Sequence, residues 1–182
     1  ITRYELQPSN AMFHVQLTDN ATADSQIYSL NPTTTYGSDV TANIGPDEIG
    51  VGESKMVISF PLNLSGQVDI SSASVELLCA TDLSAKTSTF FISALSDSFN
   101  ESAVSWMNRT ATQFWASPGA DGVGDHGDWE PPSVEMMNGT FSFNVTGLVQ
   151  KAVRNGNSSI NFLLAAFGAQ YSCSTMDETS AS

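Results

Sequence analysis

Segment 141–167 reads FSFNVTGLVQKAVRNGNSSINFLLAAF, and its hydrophobic period changes twice along its length. Phe141, Phe143 and Val145 alternate with Ser142 and Asn144, which predicts a strand with one buried face. Thr146 then caps a helix whose Leu148, Val149, Ala152 and Val153 share one side. Lys151 and Arg154 fall in its last turn, where the helix dipole favours cations, and Gly156 supplies the stop. A second strand follows, with Ile160, Phe162, Leu164 and Ala166 on one face and Asn161 and Leu163 on the other. A helix this short is marginal alone, so its apolar stripe must cover something larger. The unit predicts a lid over one end of a β-sandwich.

The chain upstream carries short strand patterns separated by turn residues. They run over 26–30, 39–44, 55–60, 72–80 and 88–95. Pro32 and Gly37 punctuate the first gap, and an acidic Gly-Pro loop fills 45–53. Val75, Leu77 and Cys79 share one side of the fourth strand; Phe90 and Ile92 alternate against Phe91 and Ser93 in the fifth. With almost no helical period before Thr146, this spacing predicts an antiparallel β-sandwich, jelly-roll-like, over 21–182, with one short helix near 146–155. Residues 108–138 are the least regular and read as a long surface excursion. Residues 1–20 read as an arm, in which Phe13, Val15 and Leu17 alternate with His14 and Gln16. Tyr4 and Leu6 alternate more weakly, and Pro8 breaks that pattern.

Composition narrows the function classes. A chain of 182 residues, 41% of them hydrophobic, is expected to form one domain with a packed interior, or one domain plus an arm. It has no run of eighteen apolar residues, so neither a membrane-spanning helix nor a hydrophobic pilin helix is expected. Six basic residues face nineteen acidic ones, a formal net charge of -13. The cations Arg3, Lys55, Lys86, Arg109, Lys151 and Arg154 are scattered, whereas binding a polyanion needs them clustered. Nucleic acid and anionic membrane are therefore poor partners; divalent cations, or high external salt, suit the chain better. Seven Asn-x-Ser/Thr sequons, at Asn20, Asn63, Asn100, Asn108, Asn138, Asn144 and Asn157, point to a glycosylated extracellular surface. Ile1 in place of Met suits a mature product after signal-peptide removal, and equally a truncated chain. In that setting Cys79 and Cys173 are expected to form one disulfide closing a long loop, worth roughly 2–4 kcal/mol.

Four pieces of the chain, in order, resemble the DNRLRE domain, a β-sandwich family that includes the disaggregatase-related repeats and a group of carbohydrate-binding modules. They are ADSQIY at 23–28 with Tyr36 and Gly37 behind it, SKMVISFPLNLSG at 54–66, SFNESAVSWMNR at 98–109, and FNVTGLVQKAV at 143–153. The resemblance covers about 23–174 and implies a β-sandwich that can bind carbohydrate. Two departures stand out. The family closes with a further strand soon after the segment like 171–174, where this chain runs out as MDETSAS. An additional strand pattern, Phe13 to Leu17, stands in front of the domain instead. A sheet short of an edge partner leaves backbone groups and an apolar seam bare, and the arm is the obvious filler. Twenty extended residues reach about 65 Å at roughly 3.3 Å each, so the arm can serve its own domain or a neighbouring copy. In the second case, head-to-tail addition builds an open filament, with Phe13, Val15 and Leu17 as the inserted residues.

Candidate sites are few. The loop DGVGDHGDWE places Asp121, Asp125, Asp128 and Glu130 on a Gly-rich backbone, an oxygen-rich setting that suits a structural Ca²⁺, although the spacing is not that of an EF-hand. A solvated acidic turn is the other reading, and it is the expected one for Asp47, Glu48 and Glu53. Trp106 lies in a strand-like segment and reads as core; Trp115 and Trp129 are candidates for stacking on sugar rings or for packing the excursion. His14 and His126 are the only histidines, and no nucleophile elbow, His-x-x-x-His pair or phosphate loop is present. An enzyme is not expected. The sequence thus points to a secreted, glycosylated structural subunit polymerising by donor-strand exchange into an extracellular filament or tube. The alternative is a carbohydrate-binding module or cell-surface adhesin domain.

Overall fold

The computed structural model describes residues 3–8, 17–47, 49–62, 64, 70–81, 89–130 and 140–175. The elements, in chain order, are β1 (Arg3–Pro8), β2 (Leu17–Asn20), β3 (Ala23–Tyr28), β4 (Thr41–Pro46), β5 (Glu53–Pro61), β6 (Ile70–Thr81), β7 (Thr89–Ala94), β8 (Thr140–Asn144), α1 (Thr146–Arg154), β9 (Ser159–Phe167) and β10 (Tyr171–Ser174). Every strand pair is antiparallel. Pairing follows the path β2-β1-β6-β10-β4-β5-β9-β7, with β3 branching from β5 and β8 from β6. The result is an all-β fold with one short helix, built on a nearly closed sheet.

Strand β7, at one end of that path, faces β8 and β10 across the main core. Phe90 on β7 packs against Phe141 and Phe143 on β8 and Tyr171 on β10, with ring centroids 4.8, 5.8 and 4.5 Å apart. These aromatics, with Ile44, Met56, Ile58, Phe60, Val75, Leu77, Ile92, Phe162 and Leu164, form one buried cluster. The inward positions are those the period-2 pattern selects, because alternate side chains of a strand share a face. Helix α1 seats Val149 and Ala152 in the same cluster, so it covers the main core as its apolar stripe requires.

The outer face of β3, β5 and β9 is also buried. Ile27, Val57 and Leu163 lie beneath Leu95, Val104, Trp115 and Ala120, with Phe99, Trp106 and Trp129 packed around them. The irregular segment 95–130 is therefore a cover with its own small core. This explains why β5 and β9 carry long buried runs rather than strict alternation, as strands covered on both sides do.

The helix ends differ from each other in how they meet expectation. At the C-terminus Gly156 takes φ +73°, Asn157 N–H donates to the Ala152 carbonyl and Gly156 N–H to that of Val153, a complete glycine-terminated cap. At the N-terminus Thr146 is the first helical residue, and no side chain caps the helix. Its N–H and hydroxyl both donate to Asn144 Oδ1, while its Oγ1 accepts from Ala73 N–H. The hydroxyl thus binds the helix to β6. The disulfide is formed: Cys79 on β6 and Cys173 on β10 stand directly opposite each other.

Candidate functional site

Three places concentrate chemistry: the edge of β6, the cover at 95–130, and a groove beside α1. At the first, β1 pairs with β6 in register from Arg3 opposite Glu76 to Gln7 opposite Ser72, the register shifts by one residue before Pro8 opposite Ile70, and β2 lies outside β1. Strand β8 pairs with Ser74 to Leu78 of the same strand, so β1 and β8 flank β6 on opposite sides. The strand covering this edge is thus Arg3–Pro8, in a segment whose alternation is weak. Of the residues expected to act as donor, Leu17 opens β2 and pairs with Leu6, while Phe13 and Val15 lie outside the described residues. Strand β10 is bonded on both sides, to β4 and to β6.

The cover is organised by buried polar groups. Asp125, 8% exposed, accepts backbone N–H bonds from Ala116, Ser117 and Gly122 at 2.7, 3.0 and 2.8 Å. Asp121 takes a different partner, the Nζ of Lys55, at 2.5 Å. Asp128 and Glu130 border the groove, and Glu130 N–H donates to the Ile92 carbonyl on the edge of β7. The four carboxylates therefore serve separate roles. Among the described residues no group of three or more His, Cys, Asp or Glu side chains converges to hold a metal.

Lys55 lies on β5 yet is 2% exposed. Its Nζ also donates to the Gly119 carbonyl at 3.2 Å, lies 3.8 Å from Glu53 Oε1, and sits 5.3 Å from the Trp106 ring centroid. Gly119 and Ala120 hold Asp121 in place with φ of +80° and +59°. A Cβ on Gly119 would come within 2.5 Å of the Trp106 ring, so only glycine fits. Ala120 is the one non-glycine residue with positive φ among the described residues, a conformation that costs an L-residue roughly 1–2 kcal/mol.

The tryptophans pack this cover. Trp115 is 5% exposed and donates its Nε1–H to the Ser105 carbonyl at 3.0 Å. Trp129 is half-buried, edge-on to Phe91 and 4.7 Å from the ring of His126, whose Nδ1 lies 2.6 Å from the Gly127 carbonyl. His14 lies outside the described residues. The acidic hairpin tip is likewise built rather than loose. Asp47 accepts the N–H groups of Val51 and Gly52 and the Tyr28 hydroxyl. Burial raises its pKa, but these bonds outweigh that and hold it below the ordinary carboxylate value. The Tyr28 hydroxyl is pushed up by burial first and by Asp47 second. Glu48 lies outside the described residues.

Along α1 from Gly147 to Ala152, the turn after it, the start of β9 and residues 94–98, 127, 128 and 130 runs a groove of about 830 Å³. Asn155, Asn157, Asn161, Asp97, Asp128 and Lys151 line it, giving amide, carboxylate and ammonium groups along an open cleft. Of the sequons, Asn100, Asn144 and Asn157 are exposed. Asn108 is partly buried, and its amide oxygen is buried without a hydrogen bond. Asn20 closes β2; Asn63 and Asn138 lie outside the described residues. No helix among the described residues is long and apolar enough to cross a membrane.

No protein-family model matches the chain, and no curated protein matches it.

Proposed function

We propose that the protein is a secreted, glycosylated structural subunit that polymerises by donor-strand exchange into an extracellular filament or tube. One observation carries the reading: an edge of β6 over Ile70 to Glu76 is completed by the first strand of the chain. Beneath that edge Ile70, Ala73 and Val75 are core residues, so an uncovered edge exposes both backbone donors and an apolar seam. The same six-residue pairing is available to β1 of a neighbouring copy, and closure between copies produces a chain of subunits. The disulfide, the acidic surface and the exposed sequons suit an extracellular setting. The DNRLRE-like segments support the β-sandwich as the repeating unit.

A cysteine trap tests this. Glu5 stands opposite Ser74, so Glu5→Cys combined with Ser74→Cys reports where the arm lies. Exchange yields a ladder of disulfide-linked oligomers on a non-reducing gel. Internal cross-linking alone, with monomers only, refutes it.

The groove beside α1 favours a second reading, a carbohydrate-binding module or adhesin domain, because amides and carboxylates in an open cleft match sugar hydroxyls. Its sugar contacts would come from Asn155, Asn157 and Asn161 rather than from buried Trp115. Retention of the monomer on a polysaccharide affinity gel, lost in Asn161→Ala, would decide for it.

A further inference from the structure

We propose that Lys55 and Asp121 condense into an intramolecular isopeptide bond, a covalent staple between β5 and the cover. The nucleophile, the electrophile and a proton carrier already stand together. Nζ of Lys55 is 2.5 Å from Asp121 Oδ1 and 3.8 Å from Glu53 Oε1, and the lysine side chain is 3% exposed. Trp106 and the Gly119 carbonyl enclose the remaining sides.

Backbone geometry argues independently that Asp121 is aimed. Two successive residues with positive φ, Gly119 and Ala120, precede it, and Ala120 is fully buried. Strain in a non-glycine residue persists only where the surroundings enforce it, and such outliers gather at functional positions. An ordinary surface turn has no such requirement.

The chemistry balances without a co-reactant. One proton moves within the pair from the ammonium to the carboxylate, giving the amine that attacks and the carboxylic acid that is attacked. The nitrogen lone pair attacks Cγ of Asp121 and a C–N bond forms. Glu53 takes the proton shed by nitrogen and delivers it to the departing oxygen. The C–O bond breaks, and one water leaves through the side of Asp121 that faces solvent. Glu53 ends as it began, and the product is a neutral amide. Condensation in bulk water is unfavourable, but groups held in register reach effective concentrations of about 10⁵–10⁸ M. The bond would secure the face of the sheet that the disulfide does not reach.

The test is the intact mass of the folded monomer, made in a host that does not glycosylate. The staple is expected to lower it by one water beyond the two hydrogens of the disulfide. Proteolysis should then yield a branched peptide joining the Lys55 and Asp121 segments. Lys55→Arg keeps the cation but forms no such amide, and Glu53→Gln removes the proton carrier; both are expected to return the full mass. A folded wild-type chain at full mass overturns the proposal, as does a water loss that persists in Lys55→Arg. Because the measurement is made on monomers, its outcome is separate from whether the arm exchanges.

Discussion

At Asp125 one carboxylate holds three backbone donors drawn from two separate turns. Removing it in Asp125→Ala strands buried N–H groups, so the variant is expected to lose about 2–4 kcal/mol in urea unfolding. A loss under half a kilocalorie would show the cover to be held by packing alone. Asp47 adds a pH dependence. Its folded-state pKa lies below the ordinary 3.8, so its contribution is complete above that value and is lost as pH falls through the folded value. Wild-type melts should therefore decline more steeply below about pH 4 than those of Asp47→Asn, and parallel curves would contradict the assignment. Tyr28 acts at the other end. Its pKa is raised above 10.0, so its contribution is intact below that value and disappears as pH climbs through the raised one. Asp47 is preceded by Gly45 and Pro46 and stands upstream of Gly50 and Gly52, a legible turn signal. Nothing in spacing marks Asp125 as a structural hub, because two of its three donors lie eight and nine residues away.

Among the elements, the one best read from sequence is α1, where the apolar stripe and Gly156 are both local features. The Thr146 hydroxyl departs from its expected capping role because Asn144 and Ala73 compete for it, and Ala73 lies 73 residues away. Strand β1 was masked by Pro8 and by weak alternation. Its strand character comes from pairing with β6 rather than from its own pattern. The disulfide joins β6 to β10 across a separation of 94 residues, and a loop that long gives cross-linking close to its largest effect on the unfolded chain. Cys79→Ser with Cys173→Ser is expected to cost about 3–5 kcal/mol in denaturant unfolding. Equal stability with and without reductant would show the β6–β10 pairing to be self-sufficient.

For the whole molecule, a formal charge of -13 opposes compaction. Raising NaCl from about 0.01 M to about 1 M shortens the screening length from about 30 Å to about 3 Å, and Tm is expected to rise. Since Asp121 and Asp125 are committed to Lys55 and to backbone donors, CaCl₂ at matched ionic strength is expected to add nothing. A calcium-specific rise, abolished in Asp128→Asn with Glu130→Gln, would place an ion at that loop after all. By itself the sequence determined the all-β class, the positions of most strands and the short helix near 146–155. Those follow from side-chain period and turn chemistry, which are local. Only the tertiary structure decided that β5 and β9 are buried on both faces, that Lys55 meets Asp121, and that the head of the chain lies on β6. Each depends on residues far apart in the chain, whose meeting is set by how the sheet closes and not by any pattern within a single segment.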